Sequence, residues 1–91
     1  MTIKLELFYS PYCPRCRKAR DRVRSIVTSW PARCFELREV NVVNELDRAV
    51  AVGVLQTPAL AIDGQLVVGP LPSLDSLQIL MRQRLKGRQS P

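Results

Sequence analysis

The sequence predicts an α/β domain in which a four-stranded mixed sheet is flanked by three helices, in the order βαβαββα, and three observations carry that prediction. Apolar residues alternate at Ile3, Leu5 and Leu7, then recur at steps of three and four from Cys16 onward, the change of period that marks a strand feeding a helix. Asp63-Gly64 separates two short apolar runs, the signature of a two-residue type I′ hairpin. The chain then closes on a second stripe of helical spacing, Leu74, Leu77, Leu80, Met81 and Leu85. Strand, helix and strand in succession call for parallel pairing and at least two layers, and the later hairpin adds an antiparallel part to the sheet.

Each element has its own local reason. The first strand runs from about Ile3 to Phe8 and ends at the loop Tyr9-Ser10-Pro11-Tyr12, where proline disfavours helix in its predecessor. A helix is expected from about Pro14 to Ser29: Cys16, Ala19, Val23, Ile26, Val27 and Trp30 form one stripe, Pro14 suits the first turn, and Pro31 prevents continuation. Phe35, Leu37, Val40 and Val42 alternate imperfectly with charged residues, which fits an edge strand. Asn44 is placed to cap a short helix over 45–52 that Gly53 stops. Strands over 58–62 and 65–68 flank the hairpin turn, and Ser73 caps the last helix, with Asp75 in its first turn and Arg82, Arg84 and Lys86 near its end. The whole of 1–91 is read as one domain, with 87–91 as a frayed tail.

Composition narrows the function. Ninety-one residues, 46% of them hydrophobic, suffice for one modest core, because a chain of this size buries roughly 60–65% of the surface it exposes when unfolded. The longest aliphatic stretches, such as Ala59–Ile62, fall far short of the roughly 20 residues of a membrane span. The opening residues lack the pattern of a signal peptide, so a cytoplasmic protein that does not engage membranes, and a monomer, is expected. With no histidine, the commonest general base and the commonest transition-metal ligand are missing. Three cysteines cannot all pair within one chain, which speaks against a secreted disulfide scaffold. The net charge of +6 is unevenly spread: residues 1–33 hold eight Lys and Arg against Glu6 and Asp21, while residues 34–81 are acidic. Such a basic end attracts nucleic acid or an acidic protein surface without identifying which.

The chemistry concentrates in Cys13-Pro14-Arg15-Cys16. Cys13 stands at or just before a helix start, where unsatisfied N–H groups favour a thiolate, and Cys16 lies one turn inward on the apolar stripe. Cys13 is therefore expected to be the exposed nucleophile and Cys16 the shielded resolving thiol, with Arg15 adding positive charge beside them. Competing readings weaken on inspection. A structural zinc site needs four ligands, and only Cys34, helped by Asp21 or Glu36, is at hand. A Cu(I)-delivery domain would place its hairpin straight after the first helix, whereas this chain interposes residues 44–52. A nucleic-acid-binding helix lacks aromatic side chains for stacking, and the helix phase explains its cations as a solvated face. Metal and nucleic acid are thus not expected, and Cys34 reads as an inert thiol.

Taken together, Tyr12-Cys13-Pro14-Arg15-Cys16, Thr57-Pro58-Ala59-Leu60, Asp63-Gly64 and a terminal helix resemble the thioredoxin/glutaredoxin superfamily, over about residues 3–85. The short length and the CPRC motif look most like the small glutaredoxin-like thioredoxins. That resemblance implies a thioredoxin-like fold in which the strands lie in the order second, first, third, fourth, and thiol–disulfide oxidoreductase activity, with a disulfide-bearing protein or a reductase as partner and no resident cofactor. It implies that Pro58 follows a cis bond and lies against the cysteines, and that Thr57 offers its backbone to an extended substrate. Tyr12 and Arg15 complete the expected substrate rim, and Tyr9 stands near it. Glutathione is the alternative reductant. The stretch Val68-Gly69-Pro70-Leu71-Pro72 departs from the glycine pair that glutathione-binding members carry there, which favours a protein disulfide.

Overall fold

The computed structural model describes residues 2–31, 33–67 and 73–89, with side chains as far as residue 86. The chain forms β1 (Ile3–Tyr9), α1 (Cys16–Ser29), β2 (Phe35–Asn41), α2 (Leu46–Val52), β3 (Ala59–Ile62), β4 (Gln65–Leu66) and α3 (Leu74–Gln89). The expected βαβαββα order and four-stranded mixed sheet are present, with strand order β2-β1-β3-β4. β1 is central. It pairs in parallel with β2 from Ile3↔Phe35 to Tyr9↔Asn41, and antiparallel with β3 from Leu5↔Ile62 to Phe8↔Ala59.

Both faces of β1 are buried, by different helices. Ile3, Leu5 and Leu7 join Phe35, Leu60 and Ile62 against Val23 and Ile26 of α1 and Leu77 and Met81 of α3. Phe8, Val40 and Ala61 turn the other way, against Ala49 of α2. Trp30 packs its ring edge-to-face on Phe35 at 6.0 Å, closing the far end of the larger core. Cys34 sits half-buried beside that end, with its carbonyl accepting the Ile3 N–H at 2.9 Å.

The punctuation follows the sequence with local differences. Asp63 and Gly64 both have positive φ, 50° and 83°, as a type I′ turn requires. The Asp63 carboxylate also accepts the Lys4 N–H at 3.0 Å, which ties the turn to the start of β1. Gly53 ends α2 at φ 92° and donates to Ala49 and Val50 carbonyls. Asn44 does not cap α2: the cap position is Glu45, without a side-chain bond, and Asn41 supplies the local turn by accepting the Val43 N–H at 2.9 Å. Ser73 accepts the Ser76 N–H at 3.3 Å at the head of α3. β4 is shorter than expected, although Val67 still donates to Leu60 at 2.8 Å; residues 68–72, with Pro70 and Pro72, lie outside the described residues.

Much of the charge on α1 is structural. Arg24 forks onto Glu39 of β2 with two bonds of 2.8 Å, and Arg20 lies 4.9 Å over the Tyr9 ring and 3.8 Å from the same carboxylate. Tyr9 is thus held by packing. Among the described residues, no helix is long and apolar enough to cross a membrane.

Candidate active site

The register of the sheet assembles the site. Because Phe8 pairs with Ala59, the residues just before β3 are set beside those just after β1, and Thr57-Pro58 meets Cys13. The intervening loop is folded tightly: Ser10 Oγ accepts the Tyr12 N–H at 3.2 Å, the Ser10 carbonyl accepts the Cys13 N–H at 3.1 Å, and the Cys13 carbonyl accepts the Cys16 N–H at 3.3 Å. The Cys13 thiol points at the Thr57 carbonyl, 3.7 Å away. The Thr57–Pro58 bond is cis.

Helix α1 starts later than expected, at Cys16 itself, so Cys13 precedes it by three residues and Cys16 is its first residue. The electrostatic consequence is nevertheless the expected one. Partial burial works to raise the Cys13 thiol, but hydrogen bonds from the Cys16 thiol, the Thr57 side chain and the N–H groups of Arg15 and Cys16 outweigh it, holding Cys13 below the ordinary thiol value. Cys16 is pushed the other way, first by its burial and then by the proton it shares with Cys13. Cys16 is 3% exposed, while Cys13 is only half-buried, so two thiols of one motif differ in both access and acidity. Among the described residues, no group of three or more Cys, Asp or Glu side chains converges into a metal site.

Cys13, Cys16, Thr57 and Pro58 are brought together. Tyr12 stands beside them but projects outward, 86% exposed. Arg15 lines a cavity of about 390 Å³ beside the start of α1, with Pro14, Lys18, Arg22, Gln56, Thr57 and Pro58. Of these, Lys18, Arg22 and Gln56 were not singled out from the sequence as lining residues. The spacing of 15, 18 and 22 was a legible signal, since steps of three and four share a helix face. A larger depression of about 720 Å³ opens elsewhere, over the sheet near Lys4, Glu6, Arg38 and Arg48. Glu6 alternates with the apolar residues of β1, yet it is 8% exposed and grips the Arg48 guanidinium of α2 with both oxygens. That fork, ahead of burial, holds the Glu6 carboxyl below its usual range.

A thioredoxin domain family model matches residues 1–82. The chain belongs to the thioredoxin family. It is 29% identical over 83 residues to a thioredoxin from Methanocaldococcus jannaschii, covering 91% of this chain and 96% of that one. A probable thioredoxin from Archaeoglobus fulgidus is 32% identical over 85 residues, with 93% and 91% covered. Among solved structures, a mutant thioredoxin from Halobacterium salinarum superposes with a TM-score of 0.76 at 25% identity, over 89% of this chain and 73% of that one. Family and paired thiols together make the chain a thiol–disulfide oxidoreductase.

Proposed function

We propose that Cys13 is the attacking thiolate of this oxidoreductase and Cys16 the resolving thiol, with Thr57, Pro58, Arg15 and Tyr12 receiving the substrate. The observation that carries this reading is the inequality of the pair: the accessible Cys13 is held acidic while Cys16 is buried and held protonated. Reactivity in thiol–disulfide exchange follows thiolate fraction and access.

The cycle balances without a metal or nucleotide. Cys13 attacks one sulfur of the substrate disulfide, the S–S bond breaks, and the first substrate thiolate leaves as a Cys13 mixed disulfide forms. Cys16 then gives up its proton and attacks the Cys13 sulfur, releasing the second substrate thiolate and closing a Cys13–Cys16 disulfide. Two electrons pass to the substrate, and an external dithiol reductant restores the pair. Because the attack is direct, Cys16→Ser is expected to accumulate a mixed disulfide on Cys13, read by mass spectrometry under non-reducing conditions. Accumulation on Cys16 in a Cys13→Ser chain would reverse the roles.

The preferred acceptor is a protein disulfide in a reducing, cytoplasmic setting, with glutathione the lesser partner. Support comes from the exposed Tyr12 and the open cationic wall beside Cys13, together with the proline pair at Pro70 and Pro72 in sequence. The test compares reduction of the Cys13–Cys16 disulfide by glutathione and by a thioredoxin-reductase-type protein system. Saturable reduction by glutathione alone would overturn the preference.

A further inference from the structure

The cavity beside the cysteines is cationic in a way the rest of α1 is not. Arg20 and Arg24, on one flank of the helix, are spent on Glu39. Arg15 and Lys18, on the flank facing Gln56–Pro58, make no ion pair among the described residues, and Arg22 continues their row. Among the described residues, no acidic side chain lines this cavity. Arg15 and Lys18 on one wall repel each other, and a domain that only needed solubility would gain nothing by setting them together at a concave place next to its reactive thiol.

The location fixes what an occupant must be. Pro14 on one wall adjoins Cys13 in the chain, and Thr57 on the other approaches the Cys13 sulfur with its carbonyl, so whatever fills the cavity also lies beside the sulfur under attack. An extended peptide advances about 3.3 Å per residue, so the side chain one or two residues from the attacked cysteine falls in reach of this wall. The volume of about 390 Å³ accommodates one such side chain with water. We infer that this cavity receives a carboxylate of the protein substrate, an Asp or Glu one or two residues from the disulfide cysteine that Cys13 attacks. The inference rests on the oxidoreductase reading above and deepens it: Lys18 and its neighbours select acidic disulfide sites, where Coulomb attraction and shape act together.

The test uses the full chain with disulfide-bridged peptides identical except for Glu, Gln or Lys flanking one cysteine, assayed at low and physiological salt. The Glu peptide is expected to exceed the Lys peptide about tenfold in kcat/KM, mostly through KM, with the gap shrinking in salt. Lys18→Glu should erase or invert that ratio. Arg17→Glu makes the same charge change outside the cavity lining and should leave the ratio near its original value. Equal turnover of the three peptides, or equal loss of preference in the Lys18 and Arg17 variants, would overturn the inference in favour of general charge attraction. So would a Lys18 effect confined to glutathione disulfide, whose carboxylates share the chemistry without the peptide context. Absence of turnover for all peptides, the neutral Gln peptide included, would instead overturn the oxidoreductase reading and this inference with it.

Discussion

Two depressions of this molecule, the one over the sheet and the one beside Cys13, are lined by charged side chains and treat charge in opposite ways. Over the sheet, Glu6 meets Arg48 and Arg38 meets Glu45, so opposite charges pair within the fold. Beside Cys13, Arg15 and Lys18 line the cavity with no acidic side chain among its described lining residues. The first arrangement holds elements together: Arg48 lies on α2 and Glu6 on β1, and their fork fastens the short helix to the sheet. The second leaves its attraction for something outside the chain. The ion pairs over the sheet are structural, while Arg15 and Lys18 at the reactive end make no ion pair among the described residues, a distinction that substitutions on the two sides should separate into stability and turnover.

The largest expected effect lies on the reactive side. Cys13→Ser should lower disulfide reduction by at least about 10³-fold, as removal of a covalent nucleophile does, while leaving the melting temperature close to that of the parent. An insulin-type turbidity assay alongside a thermal melt checks both halves. A large fall in melting temperature would mean that the reactive end also carries the fold.

On the sheet side the pattern should invert. Arg48→Ala leaves the Glu6 carboxylate buried without its partner, a kind of change that ranks among the costly ones in a small domain. The melting temperature is expected to fall by about 5 °C or more, with the rate of Cys13 alkylation unchanged. The pH dependence has a definite sign. Since the folded Glu6 carboxyl is held low, its contribution is complete above the ordinary Glu value of about 4.3 and is lost as pH falls through the lower folded value. Urea midpoints between pH 2 and pH 7 should therefore fall more steeply at the acid end for the parent than for Glu6→Gln. Parallel curves would break the assignment of Glu6 as a structural charge.

Why Glu6 escaped the sequence reading is instructive. Period-2 alternation assigns Lys4, Glu6 and Phe8 to one face of the first strand, but it does not say whether that face is covered. Coverage comes from α2, whose Arg48 stands 42 residues along the chain, and a pairing at that separation leaves no local mark. What was legible was local: the stripe of α1, the hairpin at Asp63-Gly64, the stop at Gly53 and the two cysteines one helical turn apart. The meeting of Cys13 with Thr57 was legible only through family resemblance, because it depends on the Phe8↔Ala59 register. Asn44 shows the opposite error, a good capping residue in sequence whose place is taken by the Asn41 turn.

A finer pair of substitutions sharpens the contrast inside the active site itself. The acidity of Cys13 is assembled from several hydrogen bonds against the opposing pull of burial, and the Cys16 thiol and the Thr57 side chain are the leading contributors among them. Cys16→Ala should move the pH profile of iodoacetamide alkylation at Cys13 upward, since the thiolate loses its nearest donor. Thr57→Val should move it in the same direction by less, because the Cys16 thiol and the Arg15 and Cys16 N–H groups stay in place. At neutral pH the expected slowing for the threonine variant is a factor of about two to five, the range of one hydrogen bond exchanged against water. This is the smallest effect, and it discriminates between sources of acidity. If Thr57→Val leaves the profile untouched while Lys18→Glu shifts it, then the long-range field of the cationic wall, rather than the donors that touch the sulfur, sets the thiolate, and the wall serves Cys13 as well as its substrate.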